Sequence, residues 1–337
     1  MYDKIIPDWS AIQDAPKDAL KVLSQGFPEE EEKEKDYRKA VDSICDYIMK
    51  LHSKSVLGSH QKGLSNFEQI ASDFTGRDHY FHQVNCYFLG QFLKGKGVIA
   101  SLANTDFDFQ WRIASLLHDV GYEYEKRRSR ARLKELLEMV DDEFICAMCK
   151  QLARWEVVGF DVRRYLRRKA RSTGMDHGIA GAIIVFREIV DLYDDHNPDH
   201  LSSMSATPDG IDWSYKNIQN DVVPACAAIL LHNLKAVPKI GLGTTPLAYV
   251  LRLCDTLQTW DRPLVFGKQP KAVSPGSGCD INVAGVNIEF VAAVKILARV
   301  KDELIHRLND IDVADDRDQK LTIVLRRNMD VEGGAAG

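Results

Sequence analysis

The stretch that decides the fold is SLLHDVGYEY, residues 115–124, in which His118 and Asp119 follow directly on an apolar run. Trp111 and Leu117 belong to the apolar positions that indicate a buried helix before the pair. Burying a histidine and an aspartate at the end of such a helix costs free energy unless a partner compensates them. A bound cation is one such partner, and hydrogen bonds to neighbouring helix ends are the other. Taken alone, the pair favours the second interpretation.

Four further segments each present a histidine or an aspartate at the polar edge of an apolar helical pattern. These residues are His82, with His79 three positions before it, in GRDHYFHQVNCYFLGQFL, His177 in GMDHGIAGAIIVF, His232 in ACAAILLHNLK and Asp255 in PLAYVLRLCDTLQTWDRP. Each has an ordinary alternative: a single histidine is usually a hydrogen-bonded core residue, and Asp255 has Arg252 nearby as an ion-pair partner. Repetition over several helices instead indicates imidazole and carboxylate ligands that gather two metal ions in a helical bundle.

In this order the residues resemble the HD-domain superfamily of metal-dependent phosphohydrolases, most specifically in LLHDVGY and VLRLCDTLQTWDRP. The resemblance covers about residues 78–263 and matches the six-ligand version of the family, which holds a pair of ions. It implies that Asp119 bridges two divalent transition metal ions, of manganese, iron, cobalt or zinc. It further implies that one ion is completed by His82, His118 and Asp255, and the other by His177 and His232. We prefer His82 over His79 as the ligand because QVNCYFLG, which follows it, continues a buried helical face. His79 is then a residue that supports a metal ligand, or the ligand itself if the helix register differs.

The resemblance implies a hydrolase in which the metal ions and Asp119 activate a water that attacks a phosphate ester or a nucleotide. Basic residues near the ligand segments are the candidates for binding the phosphate groups. They are Arg127 and Arg128 in EKRRSRARLK (125–134), the cluster RRYLRRKARS (163–172), and the single residues Lys235 and Arg262. A solvated helix face is the usual alternative for such clusters. The expected partner is a small phosphorylated substrate such as a nucleotide. Nucleic acid is a less favoured partner because the net charge is -5.

Two other functions fit the same ligand pattern. The first is oxidative chemistry, because the six residues also resemble the di-iron oxygenases of the HD superfamily, and histidine and carboxylate ligands suit iron as well as manganese. The second is a non-catalytic HD protein that binds a nucleotide for regulation. Tyr122 stands where many signalling HD phosphodiesterases have a lysine (HDIGK), so cyclic dinucleotides lose support as substrates.

Composition places the chain among ordinary globular proteins, with 337 residues, of which 45% are hydrophobic. No apolar run reaches the roughly 18–20 residues of a membrane-spanning helix, and the N-terminus does not resemble a secretory signal. Seven scattered cysteines indicate reduced thiols, and we expect Cys146 and Cys149 to be core thiols. The expected location is the cytoplasm, with no membrane partner. Because HD proteins often associate through helices, a homo-oligomer is also compatible with the resemblance.

The predicted fold is mainly α: an HD-domain helical bundle with a small C-terminal antiparallel β element. Helical periodicity covers residues 37–56, 79–94, 107–118, 129–153, 176–193, 221–234, 246–260 and 290–309, and residues 194–220 form a polar loop. A hairpin signal at Ala284-Gly285 and the segment KLTIVLRR (320–327) predict strands. We therefore expect an N-terminal helical segment (1–60), the metal-binding domain (61–264), a hairpin, helix and strand on the same body (265–330), and a disordered tail (331–337).

Overall fold

A computed structural model of the chain describes a set of separate ranges. These are residues 18, 19, 36, 39, 40, 43, 79–99, 107–125, 130–170, 172, 174–196, 218–234, 239–258, 264–266, 269–271, 280–285, 287–291, 294–316 and 320–325. Within them the chain is mainly helical with a small antiparallel sheet near its C-terminus, so the predicted fold class is confirmed. Most of the predicted helix 37–56, most of the loop 194–220 and the tail 331–337 lie outside the described residues; residues 39, 40 and 43 of the predicted helix are described and are helical. The division into four segments stays a prediction.

The described residues form nine helices. They are α1 (His79–Gly95), α2 (Phe107–Leu117), α3 (Arg130–Glu138), α4 (Asp142–Arg154), α5 (Val162–Lys169), α6 (His177–His196), α7 (Val223–His232), α8 (Pro246–Leu257) and α9 (Val294–Arg307). A 3₁₀ turn at Tyr122–Tyr124 follows the His-Asp pair, and a π-helical turn at Ile218–Val222 leads into α7. The ends of α1, α2, α6, α7 and α8 lie within three residues of the predicted ends.

Two predicted helical features differ from the structure. The single helix expected over 129–153 is divided into α3 and α4 because the Asp141 side chain accepts a hydrogen bond from the Phe144 amide (2.8 Å) and so caps a new helix. Helix α5 was not among the predicted helices, since only three of its eight residues are buried and the rest are basic. Asp161 caps it through the Arg164 amide at 2.9 Å.

Helix α7 is the centre of the bundle. All ten of its side chains are buried, and it packs against α2, α4, α6 and α8. A helix that is apolar on every side must be surrounded by other elements, and VPACAAILLH meets that condition. With ten residues it is short, and none of the helices in the described ranges is both long and apolar enough to cross a membrane.

The prediction that Cys146 and Cys149 are core thiols is wrong. Both lie on α4 and both are exposed. The inward face of α4 is formed by Phe144, Met148 and their helical neighbours, so residues 146 and 149 fall on the opposite side of a helix with 3.6 residues per turn.

Six strands form two sheets within the described residues. They are β1 (Leu264–Phe266), β2 (Gln269–Lys271), β3 (Asp280–Ala284), β4 (Asn287–Val291), β5 (Ile311–Asp316) and β6 (Lys320–Leu325). Strands β1 and β2 pair with each other, and the larger sheet has the antiparallel order β3-β4-β6-β5. The predicted hairpin is confirmed, with Ala284 opposite Asn287 and Gly285 at φ +61°, a left-handed conformation that favours glycine. The predicted helix 290–309 begins only at Val294 because residues 290 and 291 belong to β4.

The sheet is fastened to the bundle through α9 and the segment before α8. Leu297, Val300 and Leu304 of α9 are buried, and α9 contacts both α8 and β5. The Ile240 amide donates to the Arg307 carbonyl (3.2 Å), which joins the segment before α8 to the end of α9. The start of α8, the helix that carries Asp255, is therefore held from the sheet side as well as from the bundle.

Candidate metal centre

The ends of several helices converge on one buried point of the bundle. His82 lies in the first turn of α1, and His177 is the first residue of α6. His118 directly follows α2, His232 is the last residue of α7, and Asp255 lies in the last turn of α8. The four histidines are buried, and the side chain of Asp255 is 20% exposed. The fold therefore brings together the five helices that sequence analysis singled out.

Asp119 stands at the centre of this cluster. Its Oδ1 lies 3.2 Å from His177 Nε2, 3.7 Å from His118 Nε2 and 3.7 Å from His232 Nε2. The carboxylate side chain is only 2% exposed. One oxygen thus faces three imidazole nitrogens from three different helices.

The remaining two predicted ligands lie on the other side of His118. His82 Nε2 lies 2.8 Å from Asp255 Oδ1, and His118 Nε2 lies 3.9 Å from the same oxygen. The rings of His82 and His118 meet edge to face with centroids 5.1 Å apart. His118 therefore lies between two carboxylates, with Asp119 on one side and Asp255 on the other.

Two of the histidines have their Nε2 lone pairs fixed toward the cluster. His118 Nδ1 lies 2.8 Å from the Ser115 carbonyl, and His232 Nδ1 lies 2.6 Å from the Ile229 carbonyl. A carbonyl oxygen only accepts, so each Nδ1 carries the proton and donates it. This second hydrogen bond to the backbone is the arrangement typical of metal-bound histidine.

His118 Nε2 is buried and has no hydrogen-bond partner in the part of the chain that the structure describes. Burial lowers the pKa of His118 to about 3, against the opposing effect of Asp119, so the ring is neutral and Nε2 is a bare lone pair. Leaving such an acceptor unsatisfied in the interior costs about 1–3 kcal/mol. A cation bound at this atom would remove that cost.

His177 carries positive charge instead. Burial alone would lower its pKa, but hydrogen bonds to Asp119 and Glu125 raise the pKa to about 10. Its Nδ1 donates to Glu125 Oε2 at 3.0 Å, and its Nε2 lies 3.0 Å from His232 Nε2. Because His232 Nε2 is a lone pair, the Nε2–H of His177 points toward both His232 and Asp119. A proton therefore lies between the donor atoms of His177, His232 and Asp119.

The spacing of the donor atoms fits metal ions. Zn–N bonds of about 2.0 Å and Zn–S bonds of about 2.3 Å place tetrahedral donors about 3.3–3.6 Å apart. Contacts between donor atoms include 2.8 Å, between His82 and Asp255, 3.2 Å, between His177 and Asp119, and 3.9 Å, between His118 and Asp255. Two groups in the described residues have donor atoms that all lie within 4.8 Å of one another and could hold a metal ion: His118, Asp119 and His232, and His82, Cys86 and His118.

Sequence reasoning missed two residues of the cluster. Glu125 was counted only as part of a basic run, although it directly follows the turn after Asp119. Cys86 was treated as part of an apolar face, although it stands four residues after His82 and so lies on the same side of α1.

Other predicted residues are placed less directly. His79 is the first residue of α1, and its side chain is not described; Arg127, Arg128, Lys235 and Arg262 lie outside the described residues. Arg252, which the sequence offered as an ion-pair partner for Asp255, donates its hydrogen bonds to backbone carbonyls. Its Nε donates to the His232 carbonyl at 2.7 Å, and its Nη2 donates to the Leu234 carbonyl at 3.4 Å.

Arginines of the basic cluster 163–172 form the exposed face of α5. Arg163, Arg164, Arg167 and Arg168 point to solvent. The buried Tyr165 hydroxyl on the other face accepts a hydrogen bond from the Asp176 amide at 3.1 Å. Helix α5 is therefore fastened to the residue before His177, while its arginines face away from that contact.

Tyr122 packs against the cluster. Its ring lies 5.1 Å from the His177 ring, centroid to centroid.

Comparison with protein-family models, curated proteins and solved structures finds no match to this chain.

Proposed function

We propose that this protein is an HD-type metal-dependent phosphohydrolase that binds two divalent transition metal ions and hydrolyses a phosphate ester or a nucleotide. The observation that supports it best is His118 Nε2, a buried lone pair between Asp119 and Asp255 that has no hydrogen-bond partner among the described residues. The resemblance supplies the reaction class, and the geometry supplies a donor set suited to cations.

Each residue has a role in this proposal. His82, His118 and Asp255 would hold one ion, His177 and His232 would hold the other, and Asp119 would contribute its carboxylate to both. When bound, such a pair of ions supplies an activated water for in-line attack on phosphorus. His118 and His232 keep their rings oriented through the Ser115 and Ile229 carbonyls. His177 gives up its Nε2 proton to become a ligand, and Glu125 continues to hold its Nδ1–H.

The substrate we propose is a small phosphorylated compound such as a nucleotide. Its phosphates would be bound by basic side chains that follow ligand segments in the sequence: Arg127 and Arg128 after Glu125, Lys235 after His232, and Arg262 after Asp255. We also propose a cytoplasmic location, which the exposed thiols Cys146 and Cys149 support because such thiols persist in a reducing compartment.

Elemental analysis of the purified full chain tests the proposal. We expect about two Mn, Fe, Co or Zn ions per wild-type chain and none in a His118→Ala/Asp119→Ala variant. His306→Ala is the matched control, since this histidine is exposed on α9 and should leave the metal content unchanged. Wild-type protein that binds no metal even after reconstitution would refute the proposal.

Parallel assays of the loaded protein separate the reaction classes. Release of phosphate or alcohol from phosphate esters, lost in the double variant, is the expected result. Oxygen consumption without hydrolysis would assign the di-iron oxygenase function instead. Tight nucleotide binding with neither reaction would assign a regulatory binding protein.

A further inference from the structure

Cys86 lies against the His82 side of the cluster. It is fully buried one helical turn after His82, and its Sγ lies 3.7 Å from His82 Nε2 and 4.0 Å from His82 Nδ1. Donor atoms of His82, Cys86 and His118 all lie within 4.8 Å of one another. Two ligands four residues apart on one helix face form a known metal-binding arrangement, as in the H-E-x-x-H helix.

We propose that Cys86 is a further metal ligand, which supplies a thiolate to the ion held by His82, His118 and Asp255. The inference rests on the two-metal centre proposed above and adds to it a donor that the histidine and aspartate pattern does not contain. On binding, the thiol proton leaves to solvent and the sulfur takes its place beside the imidazoles.

Two independent observations support a ligand rather than a packing residue. The 3.7 Å between Sγ and His82 Nε2 is close to the about 3.6 Å expected for sulfur and nitrogen donors on one tetrahedral ion. The third donor of the group, His118 Nε2, is buried without a partner among the described residues. An S–H donor to His82 would explain the first observation, whereas the second indicates a cation at the group of donor atoms to which the sulfur belongs.

A thiolate narrows the identity of the metal at this position. Thiolate ligands favour zinc and other soft or borderline ions, whereas manganese prefers carboxylate, carbonyl and water. We therefore expect the position beside Cys86 to prefer zinc or a similar ion, even if the position beside His177 prefers a different metal. The two positions then differ in metal preference because only one of them has a sulfur ligand.

Cobalt(II) absorption of the full-length protein tests the proposal without any activity measurement. The background is Cys146→Ser/Cys149→Ser, because these exposed thiols would otherwise bind cobalt at the surface. We expect a thiolate-to-cobalt charge-transfer band in the near ultraviolet that Cys86→Ser abolishes. The matched control Cys226→Ser removes another fully buried thiol, on α7, and should retain the band.

Competition between zinc and manganese provides the second readout. Cys86→Ser should lower zinc affinity by at least about 10-fold at one of the two positions while leaving manganese affinity nearly unchanged. Two cobalt ions per chain without the band, or a band that survives in Cys86→Ser, would overturn the role of Cys86 and leave the proposed function intact. A chain that binds no cobalt would overturn both.

Discussion

Gly121 lies where the turn after His118 and Asp119 packs closely against the backbone of α6. A Cβ at this position would lie 2.2 Å from the Gly181 amide nitrogen, 2.2 Å from the His177 carbonyl oxygen and 2.8 Å from Ala180 Cβ. Its φ of −81° is open to any residue, so the effect of Gly121→Ala would come from contact alone. The two closest atoms belong to the backbone of α6 and cannot rotate away.

The size of the effect follows from these distances. Non-bonded atoms are in favourable contact at about 3.5 Å, so the turn and the start of α6 must separate by about 1 Å. Overpacking of this kind costs typically 1–3 kcal/mol, and we expect the upper end, about 3 kcal/mol, because backbone must move. The same shift would lengthen the 3.2 Å contact between Asp119 and His177. The metal affinity of the proposed site formed by Asp119, His177 and His232 should therefore fall by at least about 10-fold.

Urea unfolding and metal titration of Gly121→Ala measure both effects. Gly95→Ala is the control, since a Cβ at Gly95, the last residue of α1, meets no atom within 4 Å. We expect this control to be neutral or stabilised by up to about 1 kcal/mol. Equal unfolding free energies for the two variants, with metal affinity unchanged in both, would show that the reasoning about Gly121 is wrong.

Three further predictions concern the groups around the histidines. Arg252→Met should lower the free energy of unfolding by about 2–3 kcal/mol, because the end of α7 loses its buried donor to the His232 carbonyl; a urea midpoint equal to wild type would contradict this. Glu125→Gln should weaken metal binding about 10-fold because a neutral amide replaces the charged carboxylate that accepts from His177 Nδ1–H, as titration calorimetry would show, whereas an unchanged affinity would mean that the charge of Glu125 has no such role. In metal-free protein, the pKa of His177 is raised to about 10, so its contribution to the free energy of unfolding should be complete below about pH 6.5. This contribution should disappear as the pH rises toward 10. The pKa of His118 is lowered to about 3, so its contribution to the free energy of unfolding should be complete above about pH 6.5 and should disappear as the pH falls toward 3. Unfolding free energies that do not change with pH would contradict both predictions.

Sequence predicted those parts of the structure where one signal dominates. Helices α1, α2, α6, α7 and α8 were predicted because each carries a long apolar periodicity. Strand β5 was missed because its sequence, IDVADD, is rich in aspartate and forms the edge of the sheet, where pairing with β6 rather than intrinsic preference decides its conformation.

The candidate site was predicted in part, and for a physical reason. Helix periodicity indicates which residues lie at the polar edge of a buried face, but not that His82 and Asp255, 173 residues apart, should meet. That expectation came from the resemblance. Glu125 and Cys86 carried no signal of their own, since a carboxylate in a charged run and a thiol on an apolar face are both ordinary.

The distance along the chain between the donors has a consequence for biogenesis. His82 meets a partner 173 residues later, and His177 meets partners 52 residues before it and 55 after it. Contacts of such long sequence separation form slowly, since the intervening chain must be ordered first. A chain still on the ribosome that lacks α8 has His82 without Asp255, and one that lacks α7 has Asp119 without His232. The His82 side of the cluster is therefore incomplete until α8 has been translated, whereas the His177 side is complete once α7 has been translated.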